Sequence, residues 1–287
     1  MKTDFQNIAI LGGGLLGGSL ALALGGLENP PDVRLWARKQ ETVEAARELG
    51  ITGATGDLAE AVHGADLIVL AVPVGSMAAL VTSALKAGLH DGCLITDVGS
   101  VKRVPHREIG PLLRGREIQF IGSHPMAGSE RNGLAAVTAN LFQNAACLLT
   151  NDEAAPAELT AALERFWKMV GCRNSWMSAA VHDELVARIS HLPHLIAASA
   201  ARVCLKDPSE GRFGGGGLRD TTRVAAGNPA MWAEIVTENR EALIGPLQET
   251  IADLREILAS LESGDQEQAR EWLVTAKQRR DPLNPPQ

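Results

Sequence analysis

Residues 7–17, NIAILGGGLLG, constrain this chain more than any other segment. A short apolar run ends in Gly12-Gly13-Gly14-Leu15-Leu16-Gly17, and a helical pattern of apolar residues opens inside that loop. The spacing is G-x-G-x-x-G, set between a strand and a helix, and there each glycine has its own task. Gly12 permits the tight turn out of the strand, Gly14 lets the backbone approach a pyrophosphate, and Gly17 lets the helix pack closely on the sheet. The anion then rests on the helix N-terminus, at Leu15 and Leu16.

The same alternation continues for more than half of the chain. Asn7–Leu11, Val33–Trp36, Leu67–Val72, Leu94–Val98, Gln119–Gly122 and Ala145–Leu149 read as strands, and Leu15–Leu24, Thr42–Leu49, Gly75–Leu85 and Ala157–Met169 as helices. The strand runs are almost continuously apolar, as in strands covered on both faces. This predicts a mostly parallel, doubly wound sheet of the Rossmann type over residues 1–178.

From about Ala179 the strand signals stop, and residues 179–281 read as an all-helical domain. Ala179–Leu205 is helical with a kink or break at Pro193. A loop follows, in which Gly214–Gly217 allow close backbone approach to a ligand or a helix. Met231–Leu261 is helical with an interruption near Gly245-Pro246, and Asp265 is the N-cap of a last helix ending near Arg280. Residues 282–287 are expected to be a disordered tail. Ile235, Leu243, Leu247, Ile251, Leu254, Ile257, Leu258 and Leu261 are more apolar positions than one-sided packing uses. A homodimer through this domain is therefore expected. The fold class is α/β, an N-terminal Rossmann-type doubly wound sheet followed by an all-α C-terminal dimerisation domain. At 287 residues the chain can build both cores.

In an open α/β sheet, ligands bind beyond the carboxyl ends of the strands. Val72 ends one strand and Pro73 follows it, Asp97 lies near the end of another, and these join the glycine loop as expected cofactor contacts. The second strand carries Ala37 where an NAD site usually has an acidic residue for the ribose hydroxyls, and Arg38 and Lys39 follow. Cations there suit a 2′-phosphate, so NADP is preferred and NAD remains possible. Ser100 follows the run LITDVGS, counts with the cofactor contacts, and doubles as a catalytic candidate. His124 ends the run FIGSHP. A hydroxyl and an imidazole beside a dinucleotide are what a hydride-transferring enzyme needs.

Composition narrows the alternatives. Asp and Glu number 34 against 27 Lys and Arg, a net charge of −7 with no local basic stripe, which argues against nucleic acid as a partner. No run reaches the roughly 20 apolar residues of a membrane span, and the N-terminus lacks a signal-peptide pattern. A cytoplasmic protein is expected. The four cysteines are scattered without CxxC or zinc spacing, and no metal is expected.

Four segments together carry a resemblance: the loop Gly12–Gly17, DVGSVK at Asp97–Lys102, GSHPMAGSE at Gly122–Glu130, and SHLPH at Ser190–His194 with GGGGLRDTTRVAAGNPAMW at Gly214–Trp232. In this order they resemble the prephenate/arogenate dehydrogenases of tyrosine biosynthesis, an aromatic amino acid pathway. The resemblance implies oxidative decarboxylation of a cyclohexadienol bearing a ring carboxylate. It implies His124 as the catalytic base, with Ser100 bridging it to the reacting hydroxyl. It implies Arg223 as the substrate carboxylate clamp, Arg219 as a second cation, and Glu130 as a residue gating the pocket. It places at least one of His191 and His194 at the substrate, with His194 favoured, puts Gly216 in the substrate-binding segment, and has Trp232 reach the partner's active site. A monofunctional dehydrogenase is expected, because the first strand starts at residue 7 and the helical domain runs to about residue 281. Any inhibition by tyrosine would act at the active site. The alternatives are another two-domain dehydrogenase of the β-hydroxyacid type, which would typically present a lysine from the helical domain, and a catalytically silent dinucleotide-binding sensor.

Overall fold

The computed structural model describes residues 4–128 and 133–283. The first part of the chain runs β1 (Asn7–Leu11), α1 (Leu15–Gly25), β2 (Asp32–Trp36), α2 (Gln40–Glu48), β3 (Ala54–Thr55), α3 (Leu58–Val62), β4 (Leu67–Leu70), α4 (Val74–Lys86), β5 (Leu94–Asp97), α5 (Arg103–Ile109), β6 (Gln119–Pro125), β7 (Ala146–Thr150), α6 (Ala157–Met169) and β8 (Arg173–Trp176). The strands form one sheet in the order β3-β2-β1-β4-β5-β6-β7-β8. All neighbours are parallel except β6 and β7. Winding reverses between β1 and β4, the switch point where an open α/β sheet leaves a crevice at its carboxyl edge.

The pleat divides the apolar residues between two layers. Ile8 and Ile10 of β1, with Leu67, Val69 and Leu94, pack under α1 and α6 through Leu20, Leu24, Leu163 and Phe166. Ala9 and Leu11, with Ile68, Leu70, Ile95 and Phe120, pack under α4 and α5 through Met77, Val81, Val104 and Ile109. This is why the strand runs read as continuously apolar.

Four elements lie outside the sequence expectation. β3 has only two residues, and α3 only five. The edge strand β8, RNSW, is mostly exposed and carries no apolar run. α5 contains Pro105 at its third position, where a proline is still tolerated.

The second part contains α7 (Ala179–Val186), α8 (Leu192–Cys204), α9 (Gly216–Thr222), α10 (Pro229–Glu238), α11 (Arg240–Ser263) and α12 (Gln266–Arg280). The break expected at Pro193 is a π turn, Ala187–His191, after which Pro193 sits in the first turn of α8. The segment read as a glycine loop instead holds a 3-10 turn, Pro208–Phe213, and the whole of α9. The interruption expected at Gly245-Pro246 is absent, because α11 runs through Pro246. The break falls at Asn239, whose side chain is drawn away to Asp183 and His191. Asp265 caps α12 as expected, accepting from Gln268 N at 2.9 Å. Pro282 and Leu283, expected in a disordered tail, complete a 3-10 turn after α12, and residues 284–287 lie outside the described residues.

The chain divides into two compact units, Met1–Arg240 and Glu241–Gln287. Residue 178 therefore marks where strands end, whereas the units separate at 240. Side chains explain the difference: Asp183 in α7 accepts from the backbone of Lys102 and Arg103, and Glu234 in α10 accepts from Gly75 N at 2.6 Å. No helix among the described residues is long and apolar enough to cross a membrane.

Candidate active site

The glycine loop has the geometry its spacing requires. Gly12 has φ +132°, and a Cβ there would lie 2.2 Å from Ala71 O; a Cβ at Gly17 would lie 2.0 Å from Gly12 O. Gly14 faces open space, with no atom within 4 Å of a Cβ position. It is the N-cap of α1, which has neither a side-chain cap nor an acidic residue in its first turn. The uncapped amides and the positive end of the helix dipole thus fit a pyrophosphate. Val72 packs against Gly12, and Pro73 caps α4. A Cβ on Gly13 would meet Thr42 Cγ2 at 2.7 Å and Ala37 Cβ at 3.3 Å, so the β2–α2 turn lies against the loop. Ala37 is buried there, while Arg38 and Lys39 are exposed and form no ion pair among the described residues.

His124 stands near the end of β6, opposite Leu148 of β7. Behind it, Ser123 Oγ is fixed by Thr96 Oγ1 at 2.7 Å and by the Trp167 indole at 2.9 Å. The His124 ring is buried, with Nδ1 2.9 Å from Nε2 of His182 in α7. His182 Nδ1 lies 2.8 Å from Asp183 Oδ1. Asp183 accepts from Lys102 N at 2.7 Å and Arg103 N at 3.0 Å. Asn239 Nδ2 donates to Asp183 O at 2.9 Å and lies 3.0 Å from Nδ1 of His191. The chain continues through aromatic contacts: Trp232 meets His191 edge-on at 6.1 Å and stacks on His194 at 3.5 Å, with ring planes 7° apart.

Burial shapes the titration of these rings. It pushes His124 well below its ordinary range, with the charges of His182, Lys102 and His191 acting in the same direction. His182 is lowered by burial against the opposing pull of Asp183. Burial takes His191 down to about 4 and lowers His194 against a backbone contact at Val224. Neutral imidazoles therefore prevail at pH 7, as proton acceptance requires.

Several expectations need correction. Asp97 was expected on the cofactor, yet it is fully buried, with its carboxylate accepting from Gly99 N at 2.9 Å and Ser123 N at 3.1 Å and paired with Lys102. Lys102 Nζ also donates to Gly99 O and Val101 O, so all three of its donors are used. Ser100 is half-buried and makes no hydrogen bond with His124 among the described residues, while His124 Nδ1 faces His182. Trp232 stacks on His194 of its own chain. Gly227 admits the indole, for a Cβ there would meet Trp232 Nε1 at 2.5 Å.

Arg223 is exposed and opens a 3-10 turn whose next residue, Val224, contacts His194 through its backbone. Arg219 is exposed on α9, and Gly216 is that helix's first residue. Glu130 lies outside the described residues. Sequence reasoning missed His182, Asp183, Asn239 and the buried role of Lys102. Adjacent His and Asp near a helix start were the one visible signal, but His182 lies 58 positions from His124.

Comparison with known proteins agrees with this geometry. Residues 26–175 match the family model of the prephenate dehydrogenase nucleotide-binding domain, and residues 178–275 that of the prephenate dehydrogenase dimerization domain. The chain belongs to the prephenate dehydrogenase family. As a member it is an oxidoreductase with a nucleotide-binding domain that uses NAD(P). A cyclohexadienyl dehydrogenase of Zymomonas mobilis is 36% identical, over 92% of this chain and 91% of that protein. The crystal structure of A. aeolicus prephenate dehydrogenase with hydroxyphenyl propionate and NAD+ superposes with a TM-score of 0.88 at 27% identity, over 99% of this chain and 100% of that one. Synechocystis arogenate dehydrogenase superposes at 0.77 with 30% identity, over 96% and 99%. These relatives favour the prephenate dehydrogenase reading over the β-hydroxyacid-type and silent-sensor readings.

Proposed function

We propose that this chain catalyses the NAD(P)-dependent oxidative decarboxylation of prephenate to 4-hydroxyphenylpyruvate, or of arogenate to tyrosine. The observation that carries this reading is His124, a buried neutral imidazole at the carboxyl edge of the sheet with one nitrogen held by His182.

His124 Nε2 takes the proton of the substrate's ring hydroxyl as that C–O bond gains carbonyl character. Ser100 is the second group assigned to this hydroxyl. Gly12–Gly17 with Val72 and Pro73 would hold NAD(P), which would supply the acceptor for the hydride that leaves the carbinol carbon. The ring carboxylate departs as carbon dioxide, its bonding pair enters the ring, the phenolate oxygen so formed takes back the proton from His124, and aromatisation drives the step. Two substrate carboxylates require cations or donors, and Arg223, whose turn contacts His194 through Val224, is assigned to one of them. Arg219 is the second cation. A spectrophotometric assay of NAD(P)H formation with prephenate and with arogenate, each with NAD and NADP, tests the proposal. Turnover of neither substrate with either cofactor would overturn it.

NADP is the proposed preference. Ala37 offers no carboxylate to the ribose, and Arg38 and Lys39 are exposed cations beside the glycine loop. One charge-assisted contact is worth roughly 1.5–3 kcal/mol, so kcat/KM should favour NADP by about tenfold or more. The double change Ala37→Asp with Arg38→Ile should reverse the preference. Equal values for the wild-type protein would remove Arg38 from the cofactor site.

A homodimer through the helical half completes the proposal. Val181, Ile189, Ile196 and Val203 stand exposed along α7, the π turn after it and α8, as do Ile251, Leu254, Leu258 and Leu261 along α11. An obligate interface of this kind buries on the order of 2,000 Å² or more, and sedimentation at micromolar concentration would detect it.

A further inference from the structure

We infer that His182 and Asp183 are positioning residues that hold His124 in a single tautomer, Nδ1 protonated and Nε2 bare. The inference rests on the reading of His124 as the base, and it follows from counting donors along the chain. An ionised carboxylate only accepts. Asp183 already accepts from the amides of Lys102 and Arg103, so His182 Nδ1, 2.8 Å from Oδ1, carries a proton and donates it. A neutral imidazole has one donor and one acceptor, so His182 Nε2 is the acceptor. His124 Nδ1, 2.9 Å away, must then be the donor, which leaves His124 Nε2 without a proton. That nitrogen is the one the reaction uses.

The inference requires His182 to be neutral. A doubly protonated His182 would donate from both nitrogens, force the proton of His124 onto Nε2 and abolish the base. The groups facing His182 are His124 on β6, Asp97 on β5, Lys102 ahead of α5, Asp183 on its own helix, and His191. The Lys102 ammonium opposes a second charge. Asp97 would favour one, but its carboxylate is committed to Lys102, Gly99 N and Ser123 N. Asn239 anchors the carbonyl of Asp183 and so fixes the relay from behind.

The direct test is the ¹⁵N spectrum of the histidine-labelled wild-type protein near pH 7, with the His124 signals assigned by their loss in His124→Asn. The expected result is a protonated, pyrrole-like Nδ1 and a bare, pyridine-like Nε2; the reverse pattern overturns the inference. The kinetic test pairs His182→Leu with His182→Gln. Leu offers no acceptor, and kcat should fall about 10- to 100-fold, part of the 10²–10⁴ of a positioned acid–base group, with KM little changed. The Gln amide oxygen can accept from His124 Nδ1, and should recover most of the loss. Wild-type kcat in His182→Leu, or equal loss in both variants, overturns the inference. The spectrum needs no turnover. A reversed spectrum with an inactive His124→Asn overturns the tautomer assignment alone. The expected spectrum with an active His124→Asn upholds it and removes the base role.

Discussion

At the carboxyl edge of the sheet, Lys102, Asp97, Asp183, His182 and Ser123 are all engaged by protein partners, whereas around α8 the buried His191 Nε2 and His194 Nδ1 have none among the described residues. A buried polar atom without a partner costs about 1–3 kcal/mol. The sheet side avoids that cost before any ligand arrives, and the α8 side carries it until one does. The division matches the two tasks proposed for these residues. A base works only if it is aimed in advance, because geometry governs proton transfer. An anion-binding wall can take its last hydrogen bonds from the anion.

This contrast predicts a split between kcat and KM. The largest effect belongs to the sheet side. His124→Asn should cut kcat by roughly 10²–10⁴-fold while cofactor affinity, measured by fluorescence titration, stays near the wild-type value. Retention of more than half the turnover would break the comparison at its main point. kcat/KM should also stay flat on the acid side of neutrality, since His124 is held neutral well below the ordinary histidine range.

The next effect sharpens the α8 side through pH. His191 binds its proton near 4 when folded, against an ordinary 6.5. Between those values the unfolded chain holds more protons than the folded one, so stability falls as pH falls. The contribution is complete above about pH 6.5 and lost as pH drops toward 4, worth roughly 3 kcal/mol. His124, His182 and His194 are shifted in the same direction. Denaturant midpoints measured from pH 7.5 to 4.5 should decline steadily, and His191→Gln should flatten the decline. A decline unchanged in that variant would show that His191 is not held neutral.

The smallest effect is ground-state binding. Arg223→Ala should raise the KM for substrate about 10- to 100-fold, the worth of one charge-assisted contact, with kcat little changed. An unchanged KM for both prephenate and arogenate would take Arg223 out of the binding wall.

The elements legible in the sequence are those whose signal is local. β1, the glycine loop and α1 lie within 19 consecutive residues, and spacing alone assigns their order. β4, β5 and β6 show as apolar runs because helices cover both faces of the sheet. β8 was missed because an edge strand needs no apolar run. The break of the last long helical stretch was placed at Pro246, where local propensity argued for it. It lies at Asn239, where a tertiary hydrogen bond outweighs propensity.

The candidate site divides along the same line. His124, Arg223, His191 and His194 sit in motifs, and residue type and resemblance sufficed to single them out. The sequence alone also settled the doubly wound α/β class, the position of the dinucleotide loop and the absence of an acidic residue at Ala37. The tertiary structure alone decided that His182 faces His124, that Asp183 joins α7 to the Lys102 and Arg103 amides, that Asp97 turns inward to a buried lysine, and that Trp232 covers His194 of its own chain. The reason is physical. Spacing along a chain records contacts a few residues apart, while a hydrogen bond across 58 positions exists only once the sheet and α7 have packed.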